Sequence, residues 1–407
     1  MLNLLQHLYV NSLTEFGLTL LTGTHLKKDS KEELLNLRRS IHSEPELAGE
    51  EVVTASKIEK FISAYSPDEI IKNIGGNGLA FVFNGENKGP AVLFRAELDA
   101  LPIDEINDFE YKSKYKDKGH KCGHDGHMTV LAGLAQCISS SRNFKGKVIL
   151  LFQPAEETGE GAAKVLKDKK FSKLDPDYVF AFHNLPGYKA GSVIIKEGSF
   201  ASASKGMIIQ LTGKTSHAAE PENGINPSSA VAEIIRRYSA LPGELDGAKE
   251  FVLTTIIHVR VGEKAFGTSP GYAELMATLR AYRNDDMDRL IAEAEKIASA
   301  VASDHKLKIK ISYTEEFPAT INEKECVEVI TEAAGENGYS VNLINEPFRW
   351  SEDFGHFTKK FRGALFGIGS GENHPQLHNP DYDFPDEITP IGINMFYTIM
   401  KKLQDRK

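Results

Sequence analysis

The stretch Gly119-His120-Lys121-Cys122-Gly123-His124-Asp125-Gly126-His127 packs one thiol, three imidazoles and a carboxylate into nine residues. An isolated histidine is usually a hydrogen-bonded structural residue, but donors at this density point to a metal. In an extended segment, side chains two apart leave the same side, so Cys122 and His124 could grip one ion or two adjacent ions. Thiolate with imidazole is the donor set of zinc and its borderline-soft neighbours. His120 and His127 stay open between ligand and structural roles. A ligand pair alone does no chemistry, so other segments must supply more donors and a base.

The pair Glu156-Glu157 is the second chemical signal. Adjacent carboxylates repel, and a cation beside them relieves the repulsion. With Gln153-Pro154-Ala155 before the pair and Gly159 and Gly161 after it, a site is expected rather than solvated surface. One carboxylate would bind metal. The other would take a proton from a water whose pKa the metal lowers towards about 7 and deliver it to a leaving amine. His183 follows an apolar run over 178–182, and His378 sits in the turn-rich His374-Pro375-Gln376-Leu377-His378-Asn379-Pro380. Cys122, His124, Glu157, His183 and His378 then make five ligands, which together with a base fit two ions with open positions.

Elements that would hold these groups are legible around them. Helical patterns cover 30–41, 50–64 and 128–140, and β-rich apolar runs cover 79–84, 91–96, 147–152 and 178–182. Alternation of this kind predicts an α/β fold: a mixed, largely parallel sheet flanked by helices. Such sheets carry their chemistry just past the carboxyl ends of the strands. Glu97-Leu98-Asp99, Gln153 to Glu157 and His183 to Pro186 would therefore share one rim. From 204 to 315 the order of patterns becomes β-α-β-β-α-β, the split βαβ unit of ferredoxin-like domains. The expected division is an N-terminal extension over 1–25, a catalytic domain over 26–203 and 316–407, and an inserted domain over 204–315.

At 407 residues the chain is long enough for two domains. A net charge of -9 without a Lys/Arg run argues against a nucleic-acid partner. Three cysteines suit a reducing compartment better than a disulfide framework. No stretch reaches the 18 apolar residues of a membrane span. Residues 1–21 lack a basic start and a small-residue cleavage site, so an amphipathic helix or a dispensable extension is expected there, and a cytoplasmic location overall.

The sequence resembles the M20 metallopeptidases, most closely the amidohydrolase branch with hippurate, indole-acetyl-amino-acid and N-acyl-diaminopimelate hydrolases. The likeness runs from about residue 26 to 403. It rests on Leu37-Arg38-Arg39-Ser40-Ile41-His42-Ser43-Glu44-Pro45-Glu46, Asp99-Ala100-Leu101-Pro102-Ile103, the Cys-Gly-His-Asp-Gly-His run, Phe152-Gln153-Pro154-Ala155-Glu156-Glu157, Gly213-Lys214-Thr215-Ser216-His217-Ala218-Ala219 and Ser351-Glu352-Asp353-Phe354. The resemblance implies amide hydrolysis at a site with two divalent ions, zinc or manganese. It also implies that 204–315 is a lid, often used for dimerisation. Carried over by position, Cys122 stands where related peptidases place a bridging aspartate. His124, Glu157, His183 and His378 match the other ligands, and Glu156 matches the general base. Asp99 becomes a carboxylate orienting the ligands, His217 the lid residue that stabilises the oxyanion, and Arg280 the clamp for a substrate carboxylate.

Departures from that pattern concern specificity. Gly267 replaces a substrate-contacting asparagine. Glu97 replaces an aspartate and is one methylene longer, able to intrude on the metals. A small N-acyl amino acid or related amide is the expected substrate. An aminopeptidase or dipeptidase of the same fold, and a metal-binding protein without catalysis, stay open as alternatives.

Overall fold

The computed structural model describes residues 28–406, so the helix expected within 1–25 lies outside the described residues. The described chain divides into two units. One comprises residues 28–198, 322–345 and 356–406, and the other Ser199–Ile321 with Glu346–Gly355.

The first unit opens with α1 (Lys28–His42), α2 (Val52–Ser63), β1 (Glu69–Ile74), β2 (Gly78–Asn84) and β3 (Asn87–Glu97). There follow α3 (His124–Ser140), β4 (Lys145–Gln153), β5 (Tyr178–Pro186) and β6 (Val193–Ile195). The second unit contains β7 (Ala203–Thr212), β8 (Ser216–His217), α4 (Ser228–Glu244), β9 (Val252–Val261), β10 (Thr268–Ser269), β11 (Tyr272–Ala281), α5 (Asn284–Asp304) and β12 (Lys308–Phe317). The chain then returns to the first unit through α6 (Lys324–Glu336), β13 (Val341–Leu343), β14 (Arg362–Gly371) and α7 (Thr389–Asp405).

One eight-stranded sheet, ordered β1-β2-β4-β3-β5-β14-β6-β13, forms the first unit's backbone. Its centre is parallel from β4 through β3 and β5 to β14, while β1 and β2 join antiparallel. The mixed, largely parallel α/β fold expected from the sequence is the one observed. Residues 148–152 of β4 are all buried, because a strand covered by helices on both faces must be apolar at every position. Phe94 of β3 sits 4.7 Å from Phe396 of α7 and 6.0 Å from Phe180 of β5, joining sheet to helix at the core.

Two local expectations are corrected. The segment around Cys122 is not extended: Gly123 adopts φ +90 and α3 starts at His124. A β-carbon on Gly123 would lie 2.3 Å from Asn184 Oδ1, so a left-handed glycine makes this turn. His183 does not follow a strand end either. β5 runs on to Pro186 because β14 continues to pair with it as far as Gly371.

The second unit holds a four-stranded antiparallel sheet, ordered β9-β11-β7-β12, with α4 and α5 in the connections. That is the β-α-β-β-α-β order read from the sequence. Along β11, buried and half-buried residues alternate, as one covered face requires. Ala230, Val231, Ile234, Tyr238 and Leu241 form the buried stripe of α4 at helical spacing. The short pairing of β8 with β10, which sets His217 opposite Thr268, had no counterpart among the expected elements. Among the described residues no helix is long and apolar enough to cross a membrane.

Phe94 is fully buried between sheet and helix. Phe94→Ala is expected to lower unfolding stability by about 3–5 kcal/mol, read as a shift of the urea midpoint. A shift near zero would mean this contact is not part of the core.

Candidate metal centre

Within the first unit, four segments bring donors to the rim where β3 and β4 end level, with Glu97 opposite Gln153. They are the turn into α3, the turn after β4, the end of β5, and the turn 374–383. Cys122 Sγ lies 3.5 Å from His183 Nε2. Cys122, His124 and His183 have donor atoms within 4.8 Å of one another, and so do Cys122, Glu157 and His378. Glu157 spans the gap, with Oε1 3.8 Å from His124 Nε2 and Oε2 3.9 Å from His378 Nε2. Two ligands at about 2.0–2.3 Å from a tetrahedral ion stand roughly 3.3–3.8 Å apart. The observed separations of 3.5, 3.8 and 3.9 Å lie within or just beyond that spacing, and Cys122 is common to both groups.

The histidine rings are set for coordination. His124 Nδ1–H donates to the carbonyl of Asp99 at 2.8 Å, and His183 Nδ1–H donates to the carbonyl of Asn184 at 2.9 Å. Each bond fixes the tautomer and turns the bare Nε2 towards Cys122 and Glu157, the arrangement that supports metal-bound imidazoles. Burial pushes the His183 imidazole down to about 3 and holds His124 well below its ordinary range, so both rings are neutral at pH 7. His124 Nε2 is buried with no hydrogen-bond partner. A buried lone pair of that kind is costly unless a cation accepts it, so the donor set fits a metal.

The turn after β4 is built to present two carboxylates. Ala155 takes φ +53, a left-handed conformation uncommon for a residue with a side chain. Its N–H donates to Glu51 Oε1 at 2.8 Å, and Glu51 also takes the N–H of Gly49 and the amide of Asn77. The next residue, Glu156, is buried, with Oε2 3.9 Å from His124 Nε2. Asp99 Oδ2 accepts the N–H of Glu157 at 2.9 Å. Full burial pushes the Asp99 carboxyl up to about 7 against that hydrogen bond. Asp99 therefore touches both a ligand's backbone and, through its own carbonyl, a ligand's ring.

Other expected residues have partners of their own. Glu97 lies close to the donors: its carboxylate, His124 and His127 have ligand atoms within 4.8 Å of one another. Its carboxylate is held by Arg95 and accepts His127 Nδ1–H at 2.7 Å. His127 is close to Asn184 Oδ1 at its other nitrogen, 2.5 Å, and edges against Phe182. His120 is buried beside the His42 ring, and burial pushes it down to about 4. His217 and Arg280 lie in the second unit. His217 is exposed on β8, its Nδ1 accepting the N–H of Ala219 at 3.1 Å. Arg280 on β11 donates to the carbonyl of Arg349 and to Ser351 Oγ at 2.9 and 3.0 Å.

Sequence reasoning missed the supports. Glu51 lies in a helix-start pattern that looks solvated, and nothing local ties it to Ala155. Arg38, His42 and Asp125 form a buried cluster, with Arg38 2.9 Å and His42 Nδ1 2.9 Å from Asp125. Arg38 and His42 are one helical turn apart, but Asp125 lies more than eighty residues away, and nothing local ties it to them.

The model of peptidase family M20/M25/M40 matches residues 93–402. A hippurate hydrolase of Campylobacter jejuni is 32% identical over 88% of this chain and 94% of its own length. An N-acetyl-L-cysteine deacetylase of Bacillus subtilis is 30% identical over 92% of this chain and 89% of its own. Among solved structures, a dinuclear metal-binding M20 peptidase of Bacillus subtilis superposes with a TM-score of 0.79 at 26% identity, covering 93% of this chain and 99% of that one. With its donors gathered as described, the chain belongs to peptidase family M20/M25/M40 and is a metal-dependent hydrolase of amide bonds.

Proposed function

We propose that this protein hydrolyses the amide bond of a small N-acyl amino acid at a pair of divalent cations, zinc or manganese. Cys122, His124 and His183 would hold one ion, and Cys122, Glu157 and His378 the other. The observation that carries this reading is the sharing of Cys122 between two donor groups that Glu157 spans. When bound, the ions supply Lewis acidity, polarising a carbonyl and lowering the pKa of water.

The protein's own groups supply the rest. Glu156 Oε2, buried at the edge of the donors, takes the proton of the attacking water and passes it to the departing amine. Asp99 keeps the Glu156-Glu157 turn and the His124 ring in register. His217 spends Nδ1 on Ala219, which leaves an Nε2–H donor suited to a developing oxyanion. Arg280 offers a guanidinium to a substrate carboxylate. In this reading residues 204–315 act as the lid that excludes water.

A homodimer through the second unit is part of the same proposal. β9 is an edge strand, and its Ile257 and Val259 are exposed at 61% and 37%. Long apolar edges pair with other strands unless something covers them, and a second copy would do so. A cytoplasmic location is supported by three cysteines with no disulfide among them.

Three outcomes are expected. Glu156→Gln should keep both ions, counted by atomic emission, while turnover of N-benzoyl, N-acetyl or indole-acetyl amino acids drops about 10²–10⁴-fold. Equal rates in variant and parent would exclude this base, and faster turnover of free dipeptides than of acylated substrates would move the enzyme to the peptidases. Cys122→Ala should weaken both ions, whereas His183→Ala should weaken one, in titrations of zinc or manganese into metal-free protein. Ile257→Lys with Val259→Lys should convert a dimer to monomer in sedimentation velocity, and a parent that sediments only as monomer at micromolar concentration removes the dimer from the proposal.

A further inference from the structure

Lys121, between His120 and Cys122, is fully buried and has no part in the hydrolysis described above. Its ammonium donates to Glu105 Oε1 at 2.5 Å and to the carbonyl of Tyr382 at 2.8 Å. Its own carbonyl accepts the N–H of His378, also at 2.8 Å. One residue thus ties together the loop after β3, the turn into α3 and the turn 374–383. Glu105 is anchored in its turn by His42 Nε2 at 3.0 Å and by the Ser113 N–H at 2.6 Å. Burying an ammonium is unfavourable unless carboxylate and carbonyl oxygens replace its water, as they do here.

What the lysine holds is the weakest-supported donor. His378 takes φ +64, a left-handed conformation that persists in a residue with a side chain only when its surroundings impose it. Its side chain is 52% exposed, so packing does little to place it. His124 and His183, by contrast, are buried and have their rings pinned by carbonyls. The position of His378 therefore rests on its backbone, and that backbone is bonded to Lys121.

We propose that Lys121 is a positioning residue for the ion held by Cys122, Glu157 and His378, clamping the turn 374–383 so that His378 meets Cys122. The proposal rests on the two-ion reading given above and adds the device that makes one ion's affinity depend on a buried lysine. Lys121→Met alone leaves the Glu105 carboxylate buried without its ammonium, so Lys121→Met/Glu105→Gln, which removes both charges, is tested beside it.

The full-length protein, freed of metal, is titrated with zinc and with manganese by calorimetry, with His378→Ala as the marker for the ion concerned. In parent protein two ions are expected per chain. In the folded variants one dissociation constant should rise about 10–100-fold, as for loss of a ligand's support, with the other changed by no more than about threefold. The ion that weakens should be the one weakened in His378→Ala, and adding Lys121→Met to His378→Ala should cost little more. Far-UV circular dichroism of the metal-free double variant should match parent. Parent affinities at both ions, equal weakening of both, or a double variant that cannot fold each overturns the clamp. A parent chain that takes up fewer than two ions refutes the ligand assignment itself, and the clamp with it.

Discussion

Gathering a thiol, imidazoles and carboxylates out of water at one point is unfavourable unless every group gains a partner, and the first unit is arranged around that constraint. Burial, with the neighbouring His127 adding to it, holds His183 and His124 below their ordinary range and keeps both rings neutral. The carbonyls of Asn184 and Asp99 then decide which nitrogen faces the cluster. The carboxylates of Glu156 and Glu157 stand 3.9 and 3.8 Å from His124 Nε2. Divalent cations match the size and donor preference of such a set of thiol, imidazole and carboxylate.

Holding that arrangement requires backbone that would not adopt its conformation unaided. Ala155 and His378 both sit in the left-handed region, and both flank or form part of the donor set. Each is pinned by a bond to its N–H from a residue that is itself locked: Glu51 for Ala155, Lys121 for His378. Strained residues persist where the structure around them over-determines their position, and here the over-determination comes from buried charges. The supports are therefore as polar as the site, and they account for Arg38, His42, Glu51, Lys121 and Asp125 lying buried.

The sequence exposed the donors more readily than their supports, for a physical reason. Cys122 and His124 are dense in one segment, and the apolar run 148–152 carries the signature of a strand buried on both faces. The β-α-β-β-α-β order of the second unit was equally legible, because alternation along β11 and the 3.6-residue stripe of α4 are both local patterns. Gly123 was not legible as a left-handed turn, since the approach of Asn184 that demands it comes from a strand some sixty residues away. Nor was the end of β5, which depends on pairing with β14 rather than on anything near His183. Lys121 and Glu51 have the composition of solvated surface, and only tertiary contacts reveal them as buried.

The longer side chain at Glu97 shows how such supports absorb a change that looks damaging in sequence. Arg95 and Glu97 are two apart on β3, so their side chains leave the same face, and the guanidinium meets the carboxylate directly. Arg95 Nε also donates to Gln153 Oε1 at 2.9 Å, joining β3 to β4 beneath the Glu156-Glu157 turn. The second carboxylate oxygen reaches His127, and His127 reaches Asn184, which packs on Gly123 and donates to the Tyr382 hydroxyl. The extra methylene is taken up by this chain of bonds, which runs from β4 through β3, α3 and β5 to the turn that carries His378. The carboxylate at 97 is thus shared between arginine and histidine while lying within ligand distance of His124, so the change at 97 bears on the scaffold directly under the donors.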